Sequence, residues 1–212
     1  MKTNERIAQF DVGVLLRRGL LVEYASLGWM TVEALAAIVA GFSSGSLALM
    51  AFGGDSFVEL LSSYAVARFL RGAVKGGTAE SDERVEKITA FLLFALIPII
   101  GAGALYSYFS GIEAEGSPIG IVVASSALVI MPLLWYEKKE IGRAANCLPL
   151  TIDAVESVTC FLMSMALLTS LAINYLWKIS WIDYVATAII LAFVTKEGLE
   201  AISQLKQSQS LS

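Results

Sequence analysis

Two short stretches that place ionisable side chains inside apolar sequence decide the fold. The stretch 55–59 reads Asp-Ser-Phe-Val-Glu, and the stretch 156–160 reads Glu-Ser-Val-Thr-Cys. Residues four apart share one face of a helix, so each stretch presents a pair of side chains in one direction: Asp55 with Glu59, and Glu156 with Cys160. Ionisable residues at membrane depth are rare and usually line an ion pathway or a binding cavity. The two stretches therefore predict an interior site in a membrane protein.

The composition of the whole chain indicates the same class of protein. Of the 212 residues, 57% are apolar and 16% are charged, whereas soluble domains are about half apolar and about a quarter charged. Six apolar segments are each near the ~20 residues that cross a bilayer. We place them at 19–42, 46–70, 85–109, 118–136, 150–176 and 182–202. The predicted fold class is all-α: a polytopic membrane protein built as a bundle of six transmembrane helices.

The distribution of basic residues predicts the orientation of these spans. Fourteen of the 15 Lys and Arg residues fall on one side of the predicted membrane, and Lys178 falls on the other. Because basic residues concentrate on the cytoplasmic side, both termini are predicted to be cytoplasmic. Residues 1–18 have the pattern of an amphipathic helix at the membrane surface. Residues 19–203 form the six-helix transmembrane domain, and residues 204–212 form a short polar tail.

Counting the helical rise places the two pairs at similar depth. At ~1.5 Å per residue, Asp55 and Glu59 lie roughly 15 and 21 Å from the outer end of the second span. By the same rise, Cys160 and Glu156 lie roughly 21 and 27 Å from the outer end of the fifth span. If these helices pack together, the four side chains form one cluster of metal ligands.

Two further acids are candidate accessory ligands. Asp153 shares a helix face with Glu156 and Cys160, because the three follow i, i+3, i+7 spacing. Glu33, in the first span, lies at a depth between those of the second span's two acids. The alternative is that intramembrane acids are buried partners of Lys or Arg, or are protonated, and that the cysteine is a small apolar core residue. The sequence places no basic residue close to the two pairs, which favours the ligand interpretation. Acids nearer the cytoplasmic ends are expected to be solvated or ion-paired: Glu23, Glu86, Glu197 and Glu200.

Over nearly its whole length, the sequence resembles the cation diffusion facilitator family of divalent metal transporters. The resemblance lies in Ser-Gly-Ser-Leu-Ala-Leu at 44–49, in 55–63 and 153–160, in Trp-Ile-Asp at 181–183 and in Arg-Val-Glu-Lys-Ile at 84–88. In that family the second helix carries an Asp or His four residues before an Asp, and the fifth carries Asp-x-x-His-x-x-x-Asp. The resemblance places the family's four-ligand metal site on Asp55, Glu59, Glu156 and Cys160. Glu replaces Asp once, and Glu and Cys stand where the family's zinc transporters have His and Asp.

The resemblance implies a transporter and not an enzyme. It implies efflux of a divalent cation across the cell membrane in exchange for protons, by alternating access, through a transmembrane domain that lacks the family's C-terminal cytoplasmic domain. The expected substrates are a metal ion and protons, and membrane lipid is expected around the bundle. No cofactor and no nucleic acid are expected. A homodimer is one assembly that the resemblance allows. Carboxylates and a thiol without many backbone oxygens suit a transition metal better than calcium or magnesium. The resemblance to this family favours Zn²⁺ narrowly over Fe²⁺, Mn²⁺ and Cd²⁺ as the transported ion.

Other functions stay open at this stage. A membrane metal sensor, or a subunit of a larger complex, would use the same ligands without transport. Export of organic cations or protons would use the same acids without a metal. A metal-dependent intramembrane enzyme is disfavoured, because the chain contains no histidine and hence no His-Glu-x-x-His or Ser–His arrangement.

Overall fold

Long helices make up the part of the chain that the computed structural model describes. It describes the backbone of residues 2–75, 83–111 and 113–210, and the side chains of residues 12–75, 87–88, 91–111, 113–200 and 202–203. The helices are α1 (Lys2–Ser44), α2 (Leu47–Val74), α3 (Glu83–Ser110), α4 (Pro118–Ala144), α5 (Leu148–Trp177) and α6 (Ile182–Ser210). They correspond to the six predicted spans, so the all-α class is confirmed. The predicted surface segment 1–18 continues into the first span, because α1 runs unbroken from Lys2. The side chains of Arg84 and Glu86, in the stretch 84–88, lie outside the described residues.

Among the residues that the structure describes, four helices contain a stretch that is long and apolar enough to cross a membrane, and α2 and α6 contain no such stretch. The apolar stretches are Val12–Ser44, Phe91–Ser110, Pro118–Ala144 and Leu148–Trp177. The polar helices α2 and α6 have 28 and 29 residues, enough to span ~30 Å of hydrocarbon at ~1.5 Å per residue. Helix α2 packs against α1, α3, α5 and α6, and α6 packs against α2, α3 and α5. The protein is thus a polytopic helical bundle in which the more polar helices pack against the apolar ones.

A carboxylate joins α2 and α6 at the outer end of the bundle. Asp183, in the first turn of α6, accepts hydrogen bonds from Ser46 Oγ at 2.5 Å and from the N–H groups of Leu47 at 2.9 Å and Ala48 at 3.3 Å. The first N–H groups of a helix have no partner within the helix and carry partial positive charge. The Asp183 carboxylate provides both a hydrogen-bond acceptor and a negative charge at the start of α2. It also brings together two stretches that carry the family resemblance, 44–49 and 181–183.

A buried ionic cluster joins α1, α4 and α5 in the inner half of the bundle. Lys138 Nζ donates a hydrogen bond to Asp153 Oδ2 and lies 3.6 Å from Glu23 Oε1. Ser63 of α2 donates to the other Asp153 oxygen at 3.1 Å. Glu23 is thus ion-paired, one of the two states expected for it, but with a lysine that the sequence did not point to, and the accessory candidate Asp153 shares that lysine. Lys138 is fully buried and directs its charge into the bundle.

Glycine allows α1 and α2 to approach closely beside the candidate site. A Cβ atom on Gly53 would lie 2.8 Å from Ile38 Cγ1 and 2.9 Å from the backbone nitrogen of Ile38. Small residues of this kind let helix backbones pack closely in membranes. Gly53 therefore fixes the position of the turn of α2 that carries Asp55.

We expect Gly53→Ala to lower the thermal stability of the purified protein. The added methyl group meets backbone, so α1 and α2 must separate, and overpacking of this kind costs about 1–3 kcal/mol. Gly28→Ala is the matched control on α1, because nothing lies within 4 Å of its Cβ position and alanine favours a helix over glycine by about 1 kcal/mol. Melting curves in detergent compare the two variants. An unchanged melting temperature for Gly53→Ala would contradict the close approach.

We expect Lys138→Met to be more destabilising. It leaves two carboxyl groups without their cation, and breaking a buried ion pair from one side costs about 3–5 kcal/mol. Lys139→Met is the control, since Lys139 Nζ lies over the Trp135 ring at 4.3 Å and takes no part in the buried cluster. Adding Glu23→Gln and Asp153→Asn to Lys138→Met should restore much of the loss. Equal melting temperatures for the two lysine variants would rule out this role for the buried cluster.

Candidate metal centre

Three carboxyl groups from α2 and α6 converge inside the bundle. One oxygen each from Asp55, Glu59 and Glu197 lies within 4.8 Å of the others. Asp55 and Glu59 are one helical turn apart on α2, and their side chains are 0% and 4% exposed. In the described part of the chain, these are the acidic or sulfur side chains that meet this closely as a group of three. The first predicted pair therefore lies in a three-carboxylate cluster, which we call the α2–α6 cluster.

The carboxyl groups of this cluster lack hydrogen-bond donors. Neither oxygen of Asp55 and neither oxygen of Glu59 accepts a hydrogen bond from a described residue, and one oxygen of Glu197 is also without such a donor. Buried polar groups in proteins are nearly always hydrogen-bonded. A buried polar group without a hydrogen bond requires an explanation, such as a bound ion. These acids differ in this respect from Asp183 and Asp153, whose carboxylates have donors. The α2–α6 cluster therefore has the free oxygen ligands that a cation requires.

A cavity of about 250 Å³ reaches the cluster from the inner end of the bundle. Glu59, Thr159 and Glu197 line it at the cluster, and its wall continues along Ser62 to Glu200, which is more than half exposed and lies 3.6 Å from Lys196. The cavity lies between α2, α3, α5 and α6. Its remaining wall is mostly apolar and comprises Val58, Leu93, Ile152, Val155 and Glu156. The cluster is thus approached from the side that the charge distribution predicts to be cytoplasmic.

The second predicted pair lies beside the cluster and has other contacts. Glu156 lines the same cavity and accepts a hydrogen bond from Ser62 Oγ at 3.1 Å. Cys160 is fully buried, and its Sγ lies 3.9 Å from Glu33 Oε1. Neither residue contributes an atom to the group within 4.8 Å. In this conformation α5 therefore presents Glu156 to the cavity and Cys160 to α1.

The two accessory candidates have separate environments. Glu33 contacts the thiol of Cys160 and is fully buried. Asp153 belongs to the buried ionic cluster with Lys138, where the lysine already neutralises its charge. A carboxylate with a buried cation as partner has little capacity left for a metal ion. The structure therefore places Glu33 near the candidate ligands and Asp153 in a different network.

Glu197 is the residue that the sequence analysis assigned wrongly, as an acid at the cytoplasmic end. It is only partly exposed and points into the α2–α6 cluster. The sequence contained a signal for its depth, but not for the direction in which its side chain points. From the start of the sixth span at residue 182, the helical rise places Glu197 roughly 22 Å from the outer end, close to the depth of Glu59.

Comparison with known protein families identifies the family to which the chain is similar. The family model described as the cation efflux transmembrane domain matches residues 24–207. Among curated proteins, no significant match was found. The family match covers essentially the whole chain and confirms the resemblance drawn from the stretches around the two pairs. The chain therefore belongs to the cation efflux family of metal cation transporters, as a multi-pass integral membrane protein.

Proposed function

We propose that the protein exports a divalent metal cation from the cytoplasm in exchange for protons, by alternating access. The observation that carries this proposal is the pair of buried carboxyl groups without donors, Asp55 and Glu59, of which Glu59 lines the cavity and Asp55 lies beside it. The family supplies the general activity, which is transport of metal cations. The proposed binding site is in the middle of the membrane and comprises Asp55, Glu59, Glu156 and Cys160.

Proton exchange follows from competition for the same atoms. Like charges held within a few ångströms repel, and burial disfavours charge, so an empty set of carboxyl groups tends to hold protons. A metal ion binds the deprotonated groups, and its binding therefore releases protons. One site that holds either protons or a dication, but not both, gives obligatory exchange when it faces the two sides in turn.

The α5 residues support a transition metal as substrate. Glu156 lines the cavity next to Glu59, and Cys160 is one helical turn further along α5. A rearrangement of α5 relative to α2 would bring both to the carboxyl groups of α2. Carboxylate and thiolate together suit Zn²⁺, with Fe²⁺, Mn²⁺ and Cd²⁺ as the competing ions. We propose Zn²⁺ as the preferred substrate.

We expect Asp55→Asn and Glu59→Gln each to reduce metal flux by at least tenfold. Each change keeps the side-chain shape and removes a charged ligand. The measurement is uptake of Zn²⁺, Fe²⁺, Mn²⁺ or Cd²⁺ into proteoliposomes across an imposed pH gradient. Glu113→Gln is the control, because Glu113 is exposed on the loop before α4. Wild-type flux in both substituted variants would refute the site. Stoichiometric metal binding by the wild type without flux would instead favour a membrane metal sensor.

We expect Cys160→Ser to lower Zn²⁺ and Cd²⁺ flux more than Mn²⁺ flux. The exchange of sulfur for oxygen removes the ligand atom that softer ions prefer. Cys147→Ser is the matched control. Cys147 precedes α5 at the inner end of the bundle, and burial raises the pKa of its thiol, which keeps it protonated and a poor ligand. The ratio of Cd²⁺ to Mn²⁺ flux is the readout. The same ratio in the Cys160 variant as in the wild type would show that this thiol does not contact the ion.

A further inference from the structure

We infer that Glu197 of α6 is itself a ligand of the transported cation, so that the metal site bridges α2 and α6. This inference rests on the proposed function and adds to it a ligand from a third helix. The geometry is direct: one Glu197 carboxylate oxygen lies within 4.8 Å of an oxygen of Asp55 and of an oxygen of Glu59. Oxygens bound to one ion are separated by less than the sum of their two metal–ligand distances. Those distances are each about 2.0–2.2 Å for zinc with carboxylates, so small side-chain rotations complete the set.

A second observation points to a ligand and is independent of the clustering of acids. Asp55 is 0% exposed and Glu59 is 4% exposed, yet none of their four carboxyl oxygens accepts a hydrogen bond from a described residue. These oxygens face Glu197, which can offer a donor only when it is protonated. A cation placed among the three side chains would satisfy all of them together.

The charges around Glu197 do not provide another partner for it. The preceding residue, Lys196, is 61% exposed and lies 3.6 Å from Glu200, one turn further along the helix. Successive residues on a helix point in different directions, so Lys196 faces out while Glu197 faces in. The buried Lys138 is held by Asp153 and Glu23 in a separate network. Glu197 is therefore an inward-facing acid, and the basic neighbour on its own helix is directed to solvent.

The position of Glu197 on the cavity gives it access to the cation. It lines the cavity together with Glu59 and Thr159. Cys160, by contrast, lies against Glu33 and is absent from the described wall of the cavity. In this conformation a cation entering from the inner end therefore meets the Glu59 and Glu197 carboxylates before it can meet Asp55 or the thiol, which are both absent from that wall. The ion then binds first to oxygen ligands from two helices that are tied together at their outer ends.

The test measures affinities for Zn²⁺, Mn²⁺ and Cd²⁺ by titration calorimetry, with the full chain in lipid nanodiscs. Loss of a charged ligand in Glu197→Gln should raise each Kd at least tenfold, which is ~1.4 kcal/mol. Glu140→Gln is the control, because Glu140 is exposed on α4 and is absent from the described wall of the cavity. Its Kd values should stay within twofold of those of the wild type. Equal effects of the two changes would overturn the inference.

A second variant keeps the test decisive if Glu197→Gln is poorly folded. Glu197→Cys exchanges an oxygen ligand for a thiol, so a residue that touches the ion should shift the preference toward Cd²⁺. We expect the ratio of Kd for Mn²⁺ to Kd for Cd²⁺ to rise at least tenfold. Glu140→Cys should leave that ratio unchanged. A purely structural Glu197 would give no such shift, and the same ratio in both cysteine variants would overturn the inference.

The outcomes separate this inference from the proposed function. If the wild type binds none of the three ions, the proposed function fails and Glu197 loses its role with it. If the wild type binds and Asp55→Asn abolishes binding, while the Glu197 variants bind as the wild type does, the proposed function stands and the α6 ligand is refuted. Weakened binding in Glu197→Gln together with the shift toward Cd²⁺ in Glu197→Cys supports both.

Discussion

A charged side chain inside a membrane must face protein, and this constraint organises the bundle. Lipid offers no hydrogen bonds and no countercharge, so acids at this depth lie toward the interior or a cavity. Helices α2 and α6 carry such acids inside their predicted spans. They pack against each other and against the more apolar helices, and their acids meet at the interface between them. The candidate metal centre is a consequence of that packing.

Buried carboxylates in this protein have three kinds of environment, and the difference separates structural from functional groups. Asp183 accepts three hydrogen bonds from the start of α2. Asp153 is paired with a buried lysine and accepts a hydrogen bond from Ser63. Asp55 and Glu59 have neither a donor nor a cation among the described residues. The first two environments stabilise the fold, whereas the third leaves ligand atoms for a substrate.

Hydropathy and helical spacing were sufficient to predict the class of fold and the pairing of Asp55 with Glu59, two of the three carboxyl groups in the α2–α6 cluster. The six helices follow from long apolar segments, and the pairing of Asp55 with Glu59 follows from the i, i+4 rule, since both depend only on local sequence. The positions of Glu197 and Lys138 depend on which way a helix is rotated about its axis. Each lies near a predicted cytoplasmic end, where a long side chain can face either water or the interior. The packing of neighbouring helices makes that choice, and no local pattern reveals it.

The pair Asp55 and Glu59 lies in the α2–α6 cluster, whereas the pair on α5 does not. This difference also results from helix rotation. Both have the same spacing, but α5 is rotated so that Cys160 contacts Glu33 of α1 while Glu156 faces the cavity. Depth along a helix can be counted from a sequence with an error of a few residues. The rotation of a helix about its axis cannot be counted in this way, because it depends on contacts with several other helices. A sequence therefore gives a depth for each side chain, whereas the packing of the helices decides which side chains meet.

The hydrogen bonds of Asp183 give the interface between α2 and α6 a fixed point at one end. Glu197 lies 14 residues further along α6, which is roughly 21 Å of helix. With α6 pivoting at Asp183, a tilt of about 10° moves Glu197 by roughly 4 Å, a distance comparable to the separation of the carboxyl oxygens in the α2–α6 cluster. A rotation small enough to preserve the outer hydrogen bonds would thus assemble or disperse the cluster, with α6 acting as a lever.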